Sequence, residues 1–252
     1  MLNTFPKSQP MTYSLQFPKE THCFVEIRPL VSSHFDILRR CQWVRLLTET
    51  LEDIEEIIQE PRGFLIITTQ AIPQQQLAKL VAKSHEEAWT AAAIPFKSWQ
   101  MPLYWESSEG SDIAVYFNHN RSKIAAYKKV FLQQTLSVQC YGFLPGFCYF
   151  HGLPPEWQLP RRAEPRLQVA AGSVAVGERY VGIYPQQSPG GWQLVGKCPV
   201  KLFDRDRTPS FFLEPGDQIR WIEIEAQAYK EILTQSYYNP KFKHEKGLLP
   251  TS

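Results

Sequence analysis

Residues 167–185 read LQVAAGSVAVGERYVGIYP, two runs rich in β-branched and aromatic residues with glycines at short intervals. That composition, in blocks this short, marks strand and turn. The pattern extends in both directions. Upstream stands LSVQCYGF (136–143), and downstream WQLVGKCPVKLF (192–203) and QIRWIEI (218–224). Strands separated only by Gly- or Pro-bearing turns build a barrel or sandwich, whereas a βαβ sheet needs a helix in each gap. From Leu136 onward the chain is expected to be mainly β, with a closing helix over 226–237 packed back on it.

Ahead of that region the pattern changes. HCFVEI (22–27) reads as a strand. Ser33 is placed to cap a helix beginning near His34, with Phe35, Leu38, Trp43, Leu46 and Leu47 as its apolar stripe. Pro73 opens another helix, through about Ala93, with Leu77, Leu80, Val81 and Trp89 on one side. Residues 64–69 form a strand. Between the helices, LEDIEEIIQEPRGFLIITT (51–69) admits two readings: the helix continues to Glu60, or two strands turn at Pro61-Arg62-Gly63. Strand–helix passages of this kind indicate a small α+β domain. A connecting region follows, with a short strand at 101–105, a short helix capped by Ser111-Asp112, and an amphipathic helix at 121–133. The expected division is an α+β domain (1–98), a connector (99–135) and a barrel domain with a C-terminal helix (136–252).

Composition narrows the function classes. A net charge of +2 argues against a chain-wide polyanion binder, so no nucleic-acid partner is expected. Five cysteines without a CxxC pair and six histidines without metal-ligand spacing indicate neither a disulfide framework nor a metal site. The opening residues lack a signal-type apolar run, and no segment reaches the roughly 18 apolar residues of a membrane span. The expectation is a soluble cytoplasmic protein with no membrane partner. Neither GxGxxG nor GxxxxGK[ST] occurs, so no phosphate cradle is read here.

The unusual chemistry lies in the second half. YGFLPGFCYF (141–150) crowds aromatics around turn residues, as a buried corner or a pocket wall would. In PRRAEPR (160–166), Pro160 and Pro165 stiffen the segment that carries Arg161, Arg162 and Arg166, whose guanidinium forks suit a carboxylate or phosphate. Ser173 in AGSV and Ser188 in SPGGW stand beside glycines, where bare backbone N–H groups can meet an anion. We expect Arg161, Arg166, Ser173 and Ser188 to border one substrate-binding cleft, with Tyr184 and Trp192 in its walls. The alternative is that Arg161 and Arg166 pair with acids such as Glu164 or Asp204 and brace the barrel.

GFLPGFCY, PRRAEPR, AGSVAVGERYVGIYP, SPGGWQLVGKCPVKLFD and LEPGDQIRW, in this order, resemble the family that comprises KipI, allophanate hydrolase subunit 1 and the B-type subunit of 5-oxoprolinase. That family includes part of the carboxyltransferase region of urea carboxylase. The likeness is dense over 141–222 and traceable upstream at MPLYWESSEGSDI. It implies an α+β N-terminal domain, which favours strands at Ile54–Ile58 and Phe64–Thr69, followed by a mainly-β, cyclophilin-like barrel. It implies one component of an ATP-dependent 5-oxoprolinase, inactive alone, that works with a KipA-like protein and a LamB/YcsF-like protein. No cofactor is expected on this chain by itself; ATP belongs to the assembled complex. Two other roles remain open: inhibition of a sensor histidine kinase through an apolar patch of Phe147, Tyr149 and Phe150, and an allophanate hydrolase or urea carboxylase association. The likeness identifies no nucleophile–base pair. This chain also departs from the pattern: Phe131 stands at the position of a helix histidine, His151 at that of a glycine, Tyr180-Val181 at that of Gln-Thr, and Lys197-Cys198 at that of Arg-Thr.

Overall fold

The computed structural model describes residues 12–28, 33–91, 93–235 and 238–248. The chain divides into two compact units, residues 1–96 with 245–252, and residues 97–244. In the first, β1 (Thr12–Lys19) and β2 (His22–Arg28) pair, α1 (His34–Thr50) follows, then β3 (Ile54–Glu60), β4 (Gly63–Thr68) and α2 (Gln74–Thr90). The sheet runs β1-β2-β4-β3 and is antiparallel throughout.

Residues 51–69 therefore form the hairpin and do not prolong α1. The helix stops at Leu51, whose amide donates to Leu47 O at 3.1 Å. Glu60 pairs with Gly63 across Pro61-Arg62, where proline presets the turn and brings no donor of its own. Ile54 and Ile57 pack against the core, while Glu55 and Glu56 charge the outer strand, which discourages edge-to-edge pairing. Gly63 is required by its neighbour: a Cβ there would overlap the carbonyl of Val25 on β2. The core beneath takes Val25, Ile27, Phe64 and Ile66 from alternate strand positions and Trp43, Leu47, Leu77 and Val81 from the two helices. Trp43 spends its one polar group on Val81 O, 3.1 Å away, so the buried indole leaves no donor unpaired.

The second unit takes β5 (Ala93–Trp105) from Lys97 onward. It continues with α3 (Asp112–Tyr116), α4 (Arg121–Gln133), β6 (Thr135–Gly142), β7 (Leu144–His151), β8 (Arg166–Val169), β9 (Ser173–Gly177) and β10 (Tyr180–Ile183). β11 (Ser188–Gly190), β12 (Gln193–Lys197), β13 (Gln218–Glu223), α5 (Ala226–Leu233) and β14 (Phe242–Leu248) complete the order. Residues 101–105, read as a short strand in a connector, are the end of the long β5.

Its sheet runs β12-β9-β10-β7-β6-β13-β5-β14, and β12 also pairs with Tyr104 and Trp105 of β5. Seven strands thus close into a barrel, with β14 outside the ring. β5 and β13 run parallel, which makes the barrel mixed. β8 and β11 form a separate two-stranded ribbon. The α+β unit and the barrel expected from the sequence are both present.

Two features hold the barrel in register. Its interior is an apolar core in which Phe131, at the expected histidine position, is buried between Trp105 and Trp221. Asp217 accepts from the Trp99 indole (2.9 Å) and from the amides of Lys97 (3.0 Å) and Glu214 (3.2 Å), tying β5 to the turn before β13. Burial raises the Asp217 pKa, and those hydrogen bonds pull it back. The closing helix ends at Leu233, short of the expected Tyr237; residues 236–237 lie outside those described. Its Tyr229 ring lies 5.7 Å from that of Tyr104 on β5. Among the described residues no helix is long and apolar enough to cross a membrane.

Gly63→Ala is expected to cost about 1–3 kcal/mol of stability, the usual penalty of overpacking. Equilibrium urea unfolding of wild type and variant checks it; an unchanged midpoint would mean that the β2–β4 approach is looser than described.

Candidate functional site

Strand alternation accounts for the aromatic crowd at 141–150. On β7, Cys148 and Phe150 belong to the barrel interior, while Phe147 and Tyr149 belong to a second cluster formed with Val169, Ala175, Tyr180, Tyr184 and Trp192. The alternation repeats on β9, where Val174 and Val176 join the interior and Ala175 the second cluster. The aromatics of the turn sequence thus divide between two cores. Gly182 leaves room for that layer, since a Cβ there would lie 2.6 Å from the Phe147 ring. Phe147 and Phe150 are buried and cannot form the exposed patch expected of a kinase-binding surface. The exposed aromatic is Phe143, 59% accessible at the hairpin turn with φ of 61°.

Beside this layer lies the charged centre of the unit. Ser111 caps α3 by accepting from the Ala114 amide at 3.3 Å, which sets Asp112 at the first helical position. The Asp112 side chain is only 5% exposed. Its Oδ1 accepts from Arg166 Nη2 and from Arg162 Nη1 (3.3 Å), and its Oδ2 accepts from the Leu194 amide on β12 at 2.7 Å. One carboxylate therefore joins a helix, the arginine segment and a barrel strand. A buried ion is tolerated only when paired and hydrogen-bonded in this way.

A cleft of about 190 Å³ opens here, lined by Glu106, Ser108, Gly110, Ser111, Asp112, Arg166, Ser173, Leu194, Gly196 and Lys197. Of the residues expected from the sequence, Arg166 and Ser173 line it. Trp192 and Tyr184 lie in the aromatic layer alongside and reach the same groups through their backbones. The Trp192 carbonyl accepts from Arg166 Nη1 at 3.5 Å, and the Tyr184 amide donates to Ser173 O at 2.9 Å. Burial raises the Tyr184 pKa, against the pull of the Trp192 backbone and Arg166. Arg161 and Ser188 do not line the cleft. Arg161 is 57% exposed and pairs with Glu178 at 3.4 Å. Ser188 is buried on the ribbon, and its hydroxyl donates to Pro189 O at 3.2 Å. The acid partners of Arg161 and Arg166 are Glu178 and Asp112, not Glu164 or Asp204; Asp204 pairs with Lys201.

The cleft's chemistry is recognition by charge and hydrogen bonds. It is lined by no histidine and no cysteine, and His151 lies elsewhere, opposite Ser137 at the end of β7. Cys198, next to Lys197, is buried, and its thiol is pushed up to about 12, too high for a thiolate nucleophile. No group of three metal-ligating side chains gathers among the described residues. Reading the sequence missed Asp112 as more than a cap, and missed Glu106. Arg162 and Arg166, on either side of Pro165, needed an acid, but nothing in the local pattern says that it comes from about fifty residues upstream.

Residues 19–213 match the profile of the carboxyltransferase domain, subdomain C and D. The chain is 32% identical over 206 residues to an Escherichia coli O157:H7 protein named as the B-type subunit of 5-oxoprolinase, covering 81% of this chain and 92% of that one. It is 29% identical over 174 residues to the Haemophilus influenzae protein of the same name, covering 68% of this chain and 80% of the other. Among solved structures, the Kluyveromyces lactis urea amidolyase superposes with a TM-score of 0.71 at 19% identity over 93% of this chain. That likeness is one of fold, and the chain spans 16% of the amidolyase.

Asp112→Ala should destabilise the protein by about 1–3 kcal/mol, because it removes the acceptor of two partly exposed guanidinium groups and of the Leu194 amide. A thermal melt and a urea titration measure this; a loss below about 1 kcal/mol would mean that the arginines find other partners.

Proposed function

The chain belongs to the carboxyltransferase domain, subdomain C and D family, and on that footing we propose that it is the B-type component of an ATP-dependent 5-oxoprolinase. Such an assembly opens 5-oxo-L-proline to L-glutamate. The observation that carries this reading is the match along nearly the full length of an oxoprolinase component of that type. The cleft supports it. Small, polar and charged, with hydroxyls and bare glycine backbone, it suits a compact molecule with a carboxylate and an amide.

In this reading the chain binds and orients the ligand, and the groups that activate ATP and attack the lactam come from other components of the assembly. A KipA-like protein and a LamB/YcsF-like protein are the proposed partners. Nothing in this sequence resembles a nucleotide phosphate cradle, which fits ATP being held by the assembly. Arg166 and Ser173 border the ligand, while Tyr184 and Trp192 support them from the aromatic layer. The kinase-inhibitor role loses support because Phe147 and Phe150 are buried. The urea-related role has the family's carboxyltransferase profile and a fold likeness behind it, but no curated relative at the identity of the oxoprolinase component among those compared above.

Mixing the purified chain with its KipA-like and LamB/YcsF-like partners should produce 5-oxoproline-dependent ATP hydrolysis that no single component shows. Full activity from the isolated chain, or none from the complete mixture, would overturn the reading.

A further inference from the structure

The two obvious cations of the cleft are not equally available to a ligand. Arg166 donates from one terminal nitrogen to Asp112 and directs the other towards Trp192 O at 3.5 Å, so the end of its fork is occupied. A carboxylate seeking that fork end-on would have to displace an internal ion pair. Arg162 shares the same aspartate and does not line the cleft. Lys197 is in a different position. It lines the cleft, and among the described residues it has no acidic side chain within salt-bridge distance.

The backbone around Lys197 is held from both sides. It pairs with Tyr104 on β5 and with Ser173 on β9, at the strand contact that closes the barrel. Directly across the ladder, the nearly buried Ser173 lines the same cleft. Gly196, the preceding residue, leaves the wall without a side chain, because a Cβ there would meet the Tyr104 carbonyl. Glu106 also lines the cleft, and its amide donates to Val195 O at 3.1 Å, so it is joined to the strand that carries Lys197. A carboxylate placed at Lys197 would meet a cation that no acidic side chain among the described residues pairs with, while Glu106 offers an acceptor to an N–H group.

We infer that Lys197, and not Arg166, is the residue that recognises the ligand's anionic group, and that the ligand is a small carboxylate which also carries an N–H donor. Arg166 is a positioning residue: with Asp112 it holds α3 against β12, and its charge adds to the field without binding the anion directly. An ammonium recognises a carboxylate as a point charge and makes no bidentate geometric demand. The inference takes its substrate from the oxoprolinase reading but takes its site from the cleft alone, so the test has two arms.

In the assembled complex, Lys197→Met should raise the KM for 5-oxoproline at least tenfold with the melting temperature unchanged, and Lys197→Arg should restore most of the loss. Arg166→Lys, at a residue that borders the ligand and holds the site together, should lower the melting temperature and raise KM by less than Lys197→Met does. A tenfold rise in KM for Arg166→Lys together with none for Lys197→Met would overturn the assignment. The second arm needs no turnover. In the isolated chain with ¹³C-dimethylated lysines, the signal missing from Lys197→Met identifies this residue, and acetate is the probe. A saturable shift of that signal supports the inference even if the complex ignores 5-oxoproline, in which case only the oxoprolinase reading falls. A linear shift equal to that of the surface lysines overturns it.

Discussion

The cleft side of the barrel unit depends on the buried carboxylate of Asp112. Asp112 takes two guanidinium donors and a backbone amide, from an arginine segment and a strand far apart in sequence. An isolated carboxylate at that depth would be costly to leave ionised, and an unpaired guanidinium is nearly as unfavourable. The groups therefore stabilise one another only when α3, the arginine segment and β12 are all in place. The cleft exists because these three meet, and Asp112 and Arg166 form part of its wall as a result of holding it together.

The same strands serve two apolar layers. Residues of β7, β9 and β10 alternate between the barrel interior and an outer layer of Phe147, Tyr149, Tyr180, Tyr184 and Trp192. That second layer explains why strands on a barrel surface carry so few polar side chains. It also gives the cleft a rigid neighbour, since Trp192 and Tyr184 present backbone groups to Arg166 and Ser173. Rigid surroundings favour recognition by a few well-placed polar groups.

The departures from the family pattern fall in two different environments. Phe131 is enclosed by Trp105, Tyr127 and Trp221, where an aromatic ring stacks and a polar ring would need a partner. Lys197 lies at the cleft, where exchanging a planar guanidinium for an ammonium keeps the charge and relaxes the geometry. One replacement lies in a packed core and the other on a cleft wall, a distinction that a comparison of letters does not draw.

Much of the fold was legible in the sequence because it rests on local physics. Short runs rich in β-branched and aromatic residues, punctuated by glycine and proline, marked the barrel strands, Ser33 and Ser111 were read as caps from their type and place, and the bounds of α4 followed from its amphipathic pattern. The segment 51–69 stayed ambiguous because short apolar runs beside a helix satisfy either period; the sheet resolves it, with β4 seated between β2 and β3 and Gly63 pressed against Val25. The candidate site was legible only in part. Arg166 and Ser173 could be singled out from their own neighbours in sequence, but Asp112, Glu106 and Lys197 join them through contacts that no spacing encodes. Nor could sequence tell that Arg161 would turn to Glu178 and Arg166 to Asp112. The sequence by itself determined most of the helices and barrel strands, because those depend on neighbours a few residues away. Only the tertiary structure decided which charges are paired and which side chains line the cleft, because charge compensation depends on distance in space.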